Sequence, residues 1–484
     1  MQRRLCRRRP FVSRAALALA ASASFAALAS TVGCAATDPA GGDHAEHTTH
    51  QLDRYAASFG EQDRFAGARP ASVIFIHPDG ASAATWAVSR ALEVGPDGEL
   101  AWDKLPHIAL YRGHMADSLT ATSNGGATTH TYGVKVAPDA YGRTAGGERG
   151  RPIVDAAGQS LSVARQAVEA GIPVGLVQTG TSTEPGTGVF LADAASRRMH
   201  DDIAAQLLES GARVLFGGGE RYFLPEGLPG VYGPGARDDG RNLLDEARDK
   251  GYTVIRTRDE LRNLPDDADK VLGLFASYHT FNDESEETLR RRGLPLYNTE
   301  APTVAEMTRA AIDVLSRGGE RFFLVVEEEG TDNFGNNNNA AGTLEAARRA
   351  DAAIAEARDH LSRNPDTLII TTADSDAGGM RLIGIPLLPG ETVPDRLPAT
   401  DANGAPMDGV DGARTAPFFA APDQFGRRLP FAVVWAARDD VSGAILVRAE
   451  GANAQFVAGS MDNTGVARLM RRTLLGDDAP QLPR

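Results

Sequence analysis

The chain has 484 residues, a net charge of -14 at pH 7 and 42% hydrophobic residues. This length allows one large α/β domain or two smaller ones, each with a sizeable core. Acidic side chains outnumber basic ones by 64 to 50, which excludes an extended basic face that would neutralise phosphates. We therefore expect no nucleic-acid partner.

Residues 1–33 have the pattern of an export signal, because Arg3, Arg4 and the arginines at 7–9 precede the mostly apolar run 15–29. Arg8 and Arg9, which precede Pro10, also resemble a twin-arginine signal, used for proteins exported in the folded state. Sec and twin-arginine export both stay open. The pattern predicts a periplasmic, secreted or lipid-anchored protein of the cell envelope.

Cys34 follows a weak lipobox, so a lipid anchor at Cys34 and plain secretion are both open. Loss of Cys6 with the signal would leave no internal disulfide. Residues 34–69 are polar and mixed, which indicates a flexible tether. Metal binding is the alternative for three histidines in this segment, which are His44, His47 and His50.

From residue 70 to 475, strand-like apolar runs alternate with helix-like segments. This pattern predicts a three-layer α/β sandwich, with a central, mostly parallel sheet covered by helices on both faces. The strands are expected at 73–76, 173–178, 214–216, 322–326, 367–371, 431–435 and 445–448. Apolar positions at helical spacing predict helices at 303–316 and 343–361. The first of these begins with Thr303 and Glu306 at capping-box spacing.

Residues 381–430 are rich in proline and glycine and show little periodicity. We interpret them as an insertion near the active face, which would act as a lid over the pocket. Residues 476–484 complete the chain as a tail.

Three of the predicted strands end in carboxylates. Asp79 follows the first strand, Glu327 begins a run of three glutamates at 327–329, and Asp374 follows the strand at 367–371. A solvated turn is the alternative for such charged runs, but the repetition at a second strand argues against it. The carboxyl ends of parallel strands meet at one edge of a sheet, so the sequence predicts a metal site there.

Several stretches jointly resemble the alkaline phosphatase family, in the order that the family has them. They are residues 215–225, 239–244, 272–276, 305–308, 372–374 and 462–464. The resemblance covers residues 70–475. It implies two to three divalent cations, small phosphorylated substrates, no other cofactor, and a homodimer.

The resemblance also implies the catalytic residues. Gly133-Val134-Lys135 sets the register and puts Ser123 at the position of the family's serine nucleophile. A hydroxyl there would be activated by a metal and by the amides of a helix N-terminus. Thr122 stands where the family has an aspartate, so Thr122 is a second candidate nucleophile. Arg197 matches the arginine that clamps phosphate, with a surface salt bridge as the alternative.

Metal ligands follow from the same resemblance. Asp79 matches the aspartate that bridges two metals. Glu327 and Asp332 match a magnesium ligand and a ligand of the first catalytic metal. Thr187 matches the threonine beside the magnesium, with an uncertainty of one residue, and Asp374 matches a further metal ligand.

The family's zinc-binding histidines are replaced in this sequence by Asn336, Ser375 and Asp440. Each replacement exchanges nitrogen for oxygen, and oxygen ligands favour Mg²⁺, Mn²⁺ or Ca²⁺ over Zn²⁺. We therefore expect Mg²⁺ together with a catalytic pair of Zn²⁺ or of a harder cation. His77 and His130 are candidates for substitute ligands, because they lie close in sequence to the site.

These features predict a metal-dependent phosphomonoesterase that acts through a phosphoserine intermediate. A phosphodiesterase on the same fold is the second enzymatic hypothesis. A lipoprotein that binds phosphate or metal without turnover is the third, motivated by the lost histidines. The carboxylates, the hydroxyl and the arginine are all retained, which favours a catalyst.

Overall fold

The computed structural model describes residues 64–155, 157–386 and 390–476. The expected export signal, Cys34, the tether up to residue 63 and the tail from residue 477 lie outside this range. No helix in the described residues is long and apolar enough to cross a membrane.

The strands, in chain order, are β1 (Ser72–Pro78), β2 (His107–Arg112), β3 (Val174–Thr181), β4 (Val214–Gly218), β5 (Thr253–Ile255), β6 (Val271–Leu274), β7 (Phe323–Glu328), β8 (Thr367–Thr371), β9 (Asp376–Ala377), β10 (Arg381–Gly384), β11 (Phe418–Phe419), β12 (Pro430–Val434), β13 (Asp440–Val441), β14 (Leu446–Gly451) and β15 (Gly459–Asp462). The α-helices are α1 (Ala83–Glu93), α2 (Ser123–Tyr132), α3 (Val163–Glu169), α4 (Pro185–Gly188), α5 (His200–Glu209), α6 (Leu243–Asp249), α7 (Arg258–Arg262), α8 (Glu286–Arg292), α9 (Val304–Leu315), α10 (Gly330–Asn336), α11 (Ala340–Arg363) and α12 (Asn463–Leu475).

Ten strands form the central sheet, in the order β15-β2-β14-β8-β1-β7-β3-β4-β6-β5. Its neighbours pair in parallel except at β14, which runs antiparallel to both β2 and β8. The mostly parallel α/β fold predicted from the sequence is confirmed. β1 lies near the middle, between β7 and β8, so the ends of these three strands lie side by side.

Helices cover both faces of this sheet. Alternate residues of a strand point to opposite faces, and β1 shows this directly. Val73 and Phe75 pack into one apolar cluster, which includes residues of α3, α5 and α12. Ile74 and Ile76 pack into the other, which includes residues of α9 and α11. A strand buried on both faces reads as the continuous apolar run seen in the sequence.

The helix predicted at 303–316 is α9, and the capping box between Thr303 and Glu306 is formed. The helix predicted at 343–361 is α11, which extends three residues further at its start and two at its end.

The strand predicted at 431–435 does not join the central sheet, so that part of the prediction is wrong. It is β12, which forms a separate antiparallel sheet with β10 and β11. Phe431 and Val433 pack into a cluster with residues of α1 and α11, and Ala432 and Val434 pack into another. Because both faces are buried, the run resembles a central strand in sequence.

The segment 381–430 contains two of these strands, β10 and β11. It also contacts α8, where the Val410 backbone amide donates to Glu287 Oε1 over 3.1 Å. Its role as a lid stays a prediction.

Candidate metal and catalytic centre

The ends of β1, β7 and β8 bring the predicted carboxylates together at one edge of the sheet. His77 and Glu327 are direct register partners across β1 and β7. Ligand atoms of His77, Asp79 and Glu327 all lie within 4.8 Å of one another. Those of Asp79, Glu329 and Asp332 do so as well. Asp79 is therefore shared by two groups of metal-ligating side chains.

Asp79 is fully buried, yet neither of its carboxylate oxygens has a hydrogen-bond partner among the described residues. Both oxygens of Asp374 and Oε2 of Glu329 are likewise buried without a hydrogen-bond partner among the described residues. A buried carboxylate without a donor or a cation is costly. These atoms are therefore fit to hold cations, for which carboxylate oxygens suit Mg²⁺, Ca²⁺ and Mn²⁺.

Ser123 is the first residue of α2, and the preceding residue, Thr122, is its N-cap. The Thr122 hydroxyl accepts from the Gly125 amide at 3.3 Å and donates to the Pro138 carbonyl. Ser123 is 7% exposed. Of the two candidate hydroxyls, that of Thr122 is thus occupied by the cap, which favours Ser123 as the nucleophile.

The first turn of α2 packs on the end of β8. A Cβ added at Gly126 would lie 2.4 Å from Asp374 Cβ and 2.6 Å from Asp374 Oδ2. Only glycine permits this approach of helix and carboxylate. The same helix N-terminus carries partial positive charge, so it complements the acidic centre.

Arg197 lies beside this centre and forms an ion pair with Glu184. Burial lowers the pKa of Arg197, but the negative charges of Glu184, Glu329 and Asp332 outweigh it and raise the pKa overall. The side chain is 39% exposed. Arg197 is therefore at the rim of the site with its charge towards the carboxylates, not in an isolated surface salt bridge.

The three residues that the family resemblance places at histidine positions also meet. Asp440 Oδ1 accepts from Asn336 Nδ2 at 3.1 Å and from Ser375 Oγ at 3.0 Å. Asn336 Nδ2 also donates to Asp332 Oδ1 at 3.1 Å. Asp440 reaches this place because β13 pairs with β9, which follows Ser375 in the chain.

Asn336 is engaged at both ends of its amide, because its carbonyl oxygen accepts from the Gly378 amide at 3.0 Å. Here it connects two carboxylates, and its role as a metal ligand stays a prediction.

Crowding of carboxylates dominates the electrostatics of the site. Burial raises the pKa of Asp332, and the neighbouring charge of Asp440 raises it further. Burial likewise raises the pKa of Asp374, with Asp79 as its main neighbour. Burial also raises the pKa of Glu329, with Glu327 as its main neighbour. Such a group of anions is stabilised by cations, whose charge offsets the mutual repulsion.

Of the two histidines considered as substitute ligands, His77 joins the site directly. Its Nδ1 lies 3.1 Å from Glu327 Oε1. Burial lowers the pKa of His77, but the hydrogen bond to Glu327 and the charge of Asp79 raise it overall. His130 packs behind it, with ring centroids 5.4 Å apart, and its Nε2 lies 2.7 Å from the Tyr111 hydroxyl.

Thr187 is buried in α4, and its Oγ1 lies 3.5 Å from Gln178 Nε2. Gln178 in turn donates to Glu327 Oε2. Thr187 and Glu327 thus have the Gln178 amide as a shared neighbour, and the role of Thr187 beside a magnesium ion stays a prediction.

Glu329 and Gln178 were not predicted as site residues. The run of three glutamates at the end of β7 was a signal for Glu329, which directly follows the strand and caps α10. Glu328 differs at one oxygen. Its Oε1 accepts from Thr179 Oγ1 at 3.0 Å and from the Tyr297 hydroxyl at 2.7 Å, whereas its Oε2 is buried without a partner among the described residues. Gln178 lies 149 residues from Glu327 in the sequence, and no local pattern marks it.

Comparison with known proteins identifies the family. The family described as alkaline phosphatase matches residues 71–475. A membrane-bound alkaline phosphatase of Bombyx mori is 31% identical over an alignment 353 residues long, which covers 64% of this chain and 62% of that protein. The human tissue-nonspecific isozyme of alkaline phosphatase is 29% identical over an alignment 337 residues long, which covers 63% of this chain and 62% of that protein. The chain thus spans 62% of the length of each of these two relatives.

Solved structures give the same result for the fold. Alkaline phosphatase from Thermus thermophilus has a TM-score of 0.65 and 25% identity, and the match covers 86% of this chain and 95% of that one. The alkaline phosphatase of the Antarctic bacterium TAB5 has a TM-score of 0.61 at 20% identity, covering 84% and 98% of the two chains. Because the family pattern runs through residues 71–475, this chain belongs to the alkaline phosphatase family.

Proposed function

We propose that this protein is a metal-dependent phosphomonoester hydrolase that acts through a phosphoserine intermediate. One observation carries the proposal: Ser123 begins a helix whose first turn packs on Asp374, beside buried carboxylates that lack donors. Family membership and the relatives named alkaline phosphatase support it.

The Ser123 hydroxyl attacks the phosphorus of the monoester, and the alcohol leaves. Water then attacks the serine-bound phosphate, which releases inorganic phosphate and restores the hydroxyl. The N-terminal amides of α2 stabilise negative charge that develops on the serine oxygen. Divalent cations, when bound, supply charge compensation for the attacking and leaving oxygens.

Arg197 holds two phosphate oxygens in this proposal, because a guanidinium presents paired donors that match them. In the structure these donors face Glu184. The substrate phosphate therefore competes with Glu184 for Arg197, and the pair orients the guanidinium before substrate arrives.

Asp79, Glu329, Asp332, Asp374 and Asp440 would hold the cations. The family resemblance assigns Asn336, Ser375 and Asp440 to the histidine positions, so we propose a variant centre of harder ligands. Mg²⁺, Mn²⁺ or Ca²⁺ should then serve better than Zn²⁺.

The substrates are small phosphorylated compounds in this proposal. The protein is exported to the periplasm or the cell surface, with a lipid anchor at Cys34 as one mode of retention. A homodimer is part of the same proposal.

Hydrolysis of p-nitrophenyl phosphate by metal-stripped protein tests this function, after Zn²⁺, Mg²⁺, Mn²⁺ and Ca²⁺ are added back separately. We expect turnover that a hard cation restores best. Turnover with Zn²⁺ alone would contradict the ligand argument but leave the activity standing. No turnover with any metal, in folded protein, would overturn the proposal.

Two matched variants identify the nucleophile. Ser123→Ala should abolish turnover and retain phosphate binding, whereas Thr122→Ala should cost only the helix cap, about 1 kcal/mol of stability. The reverse result would assign the reaction to Thr122. Faster hydrolysis of bis-p-nitrophenyl phosphate than of the monoester would instead indicate the diesterase.

A further inference from the structure

Glu327 differs from the other carboxylates around Asp79, because the protein itself satisfies it. The side chain is fully buried. Its Oε1 lies 3.1 Å from His77 Nδ1, and its Oε2 accepts from Gln178 Nε2. Each carboxylate oxygen thus has a protein donor.

Gln178 is fixed in orientation. Its Oε1 accepts from the Gly180 backbone amide at 2.8 Å, which turns the amide nitrogen towards Glu327. The His77 ring is packed between aromatic neighbours, with centroids 5.8 Å from Phe75 and 5.4 Å from His130. Its Nε2 is buried without a hydrogen-bond partner among the described residues, so this is the ring atom that a competing cation would use.

Little space is left at this carboxylate. A Cβ added at Gly186 would lie 1.5 Å from Glu327 Oε1, so the backbone of α4 closes over it. Gln178 Nε2 also lies 3.5 Å from Thr187 Oγ1. The amide therefore stands between the two residues that the family resemblance assigns to a magnesium ion.

The contrast with the other side of Asp79 gives the physical argument. Both oxygens of Asp79 and of Asp374 are buried without donors among the described residues, and so is Glu329 Oε2. These atoms need cations, because a buried carboxylate with neither donor nor cation is costly. Glu327 has already been compensated by two donors.

We propose that this chain holds two cations at its active centre, and that His77 and Gln178 take the place of a third by donating hydrogen bonds to Glu327. This inference rests on the proposed function, because it assumes the catalytic pair. The competing arrangement has a cation among His77, Asp79 and Glu327, whose ligand atoms lie within 4.8 Å of one another.

Counting bound Mn²⁺ tests the inference without reference to activity. Metal-stripped protein is dialysed to equilibrium against Mn²⁺, and the metal per chain is measured by mass spectrometry. We expect two ions per chain in the unmodified protein. Three ions would overturn the inference, and electron spin-echo detection of a directly bound imidazole nitrogen would identify His77 as the ligand.

Gln178→Glu should create a third metal site. It replaces a donor to Glu327 with a carboxylate, so the count should rise from two to three. Gln178→Met is the matched variant of similar size, which removes the donor but adds no oxygen ligand, so a third ion should bind it more weakly than it binds Gln178→Glu. Two ions in all three proteins would overturn the role of Gln178.

The failure of the proposed function gives a different result. Fewer than two ions, together with no turnover of p-nitrophenyl phosphate, would remove the catalytic pair and the inference with it. Three ions with turnover would overturn the inference alone.

Discussion

Buried carboxylates on the two sides of Asp79 are compensated in different ways. On one side, Glu327 is neutralised by hydrogen bonds from His77 and Gln178. On the other, Asp374 and Glu329 present buried oxygens without donors among the described residues, and Asp332 Oδ1 accepts from Asn336 at 3.1 Å. One side is compensated by protein donors, and the other is fit to hold cations.

This difference shows why residue type alone does not define a metal site. Glu327 and Glu329 are two residues apart, equally buried and of the same chemistry. Only the donors that tertiary structure brings to each carboxylate separate them. A buried anion needs either donors or cations, so the supply of donors predicts where cations bind.

Replacement of Asp79 should give the largest effect, because Asp79 belongs to both sides. Asp79→Asn keeps the shape but removes a shared ligand, so bound metal should fall and kcat/KM should drop by about 10³-fold. Metal content and steady-state kinetics check this together.

Glu328→Gln is the matched control. Glu328 is buried nearby, its Oε1 is held by Thr179 and Tyr297, and it belongs to neither metal-ligating group of the described residues, although its Oε2 lacks a donor among them. It should retain its metal. Unchanged metal content in Asp79→Asn would contradict the assignment of Asp79.

Removal of Arg197 should affect only the side of Asp79 that is proposed to bind cations. Arg197→Ala removes the guanidinium that faces Glu184, Glu329 and Asp332. We expect kcat/KM to fall roughly 10- to 100-fold, as for loss of charged hydrogen bonds, with the Mn²⁺ count unchanged. The exposed neighbour Arg198 provides the control Arg198→Ala, and an equal loss in both would argue for a general charge effect.

Much of this centre could be predicted from sequence because strand ends are local features. Asp79, Glu327 and Asp374 each follow an apolar run, and parallel pairing of β1, β7 and β8 brings them together. The capping box of α9 is equally local.

Other features depend on contacts between distant segments. Gln178 reaches Glu327 because β3 pairs with β7, and nothing in its own neighbourhood indicates that. β12 has the same continuous apolar run as a central strand, but its partners β10 and β11 come from the segment 381–430. Periodicity reports burial and not the partner strand, so the sheet to which β12 belongs could not be predicted.

Restoring a histidine should change the metal preference on the side of Asp79 that is proposed to bind cations. Asp440→His puts nitrogen where the family resemblance places it, so the ratio of Zn²⁺-supported to Mn²⁺-supported activity should rise about tenfold. The exposed neighbour Asp439 gives the control Asp439→His, which should leave the ratio unchanged. No rise in Asp440→His would show that Asp440 does not set metal choice.

A further pair of acidic groups lies away from the metal centre. Glu286 begins α8 and lies beside Asp408, which is fully buried and accepts from Thr415. Burial and the charge of Asp408 raise the pKa of Glu286 from 4.5 to about 8. The folded protein therefore binds this proton more tightly than the unfolded chain does. The group favours folding at low pH, and that contribution is lost as the pH rises from 4.5 to about 8.

Glu286→Gln cannot ionise and should escape this loss. At pH 9 its free energy of unfolding should exceed that of the unmodified protein by about 1 kcal/mol, discounted for partial exposure. Near pH 5 the two should be equal. Urea unfolding of metal-free protein at both pH values measures the difference, with Glu284→Gln as the control for loss of an exposed charge paired with Arg292. A difference in the free energy of unfolding that is the same at both pH values would exclude ionisation of Glu286 as its cause. The pair of Glu286 and Asp408 would then be stabilised by contacts other than a bound proton.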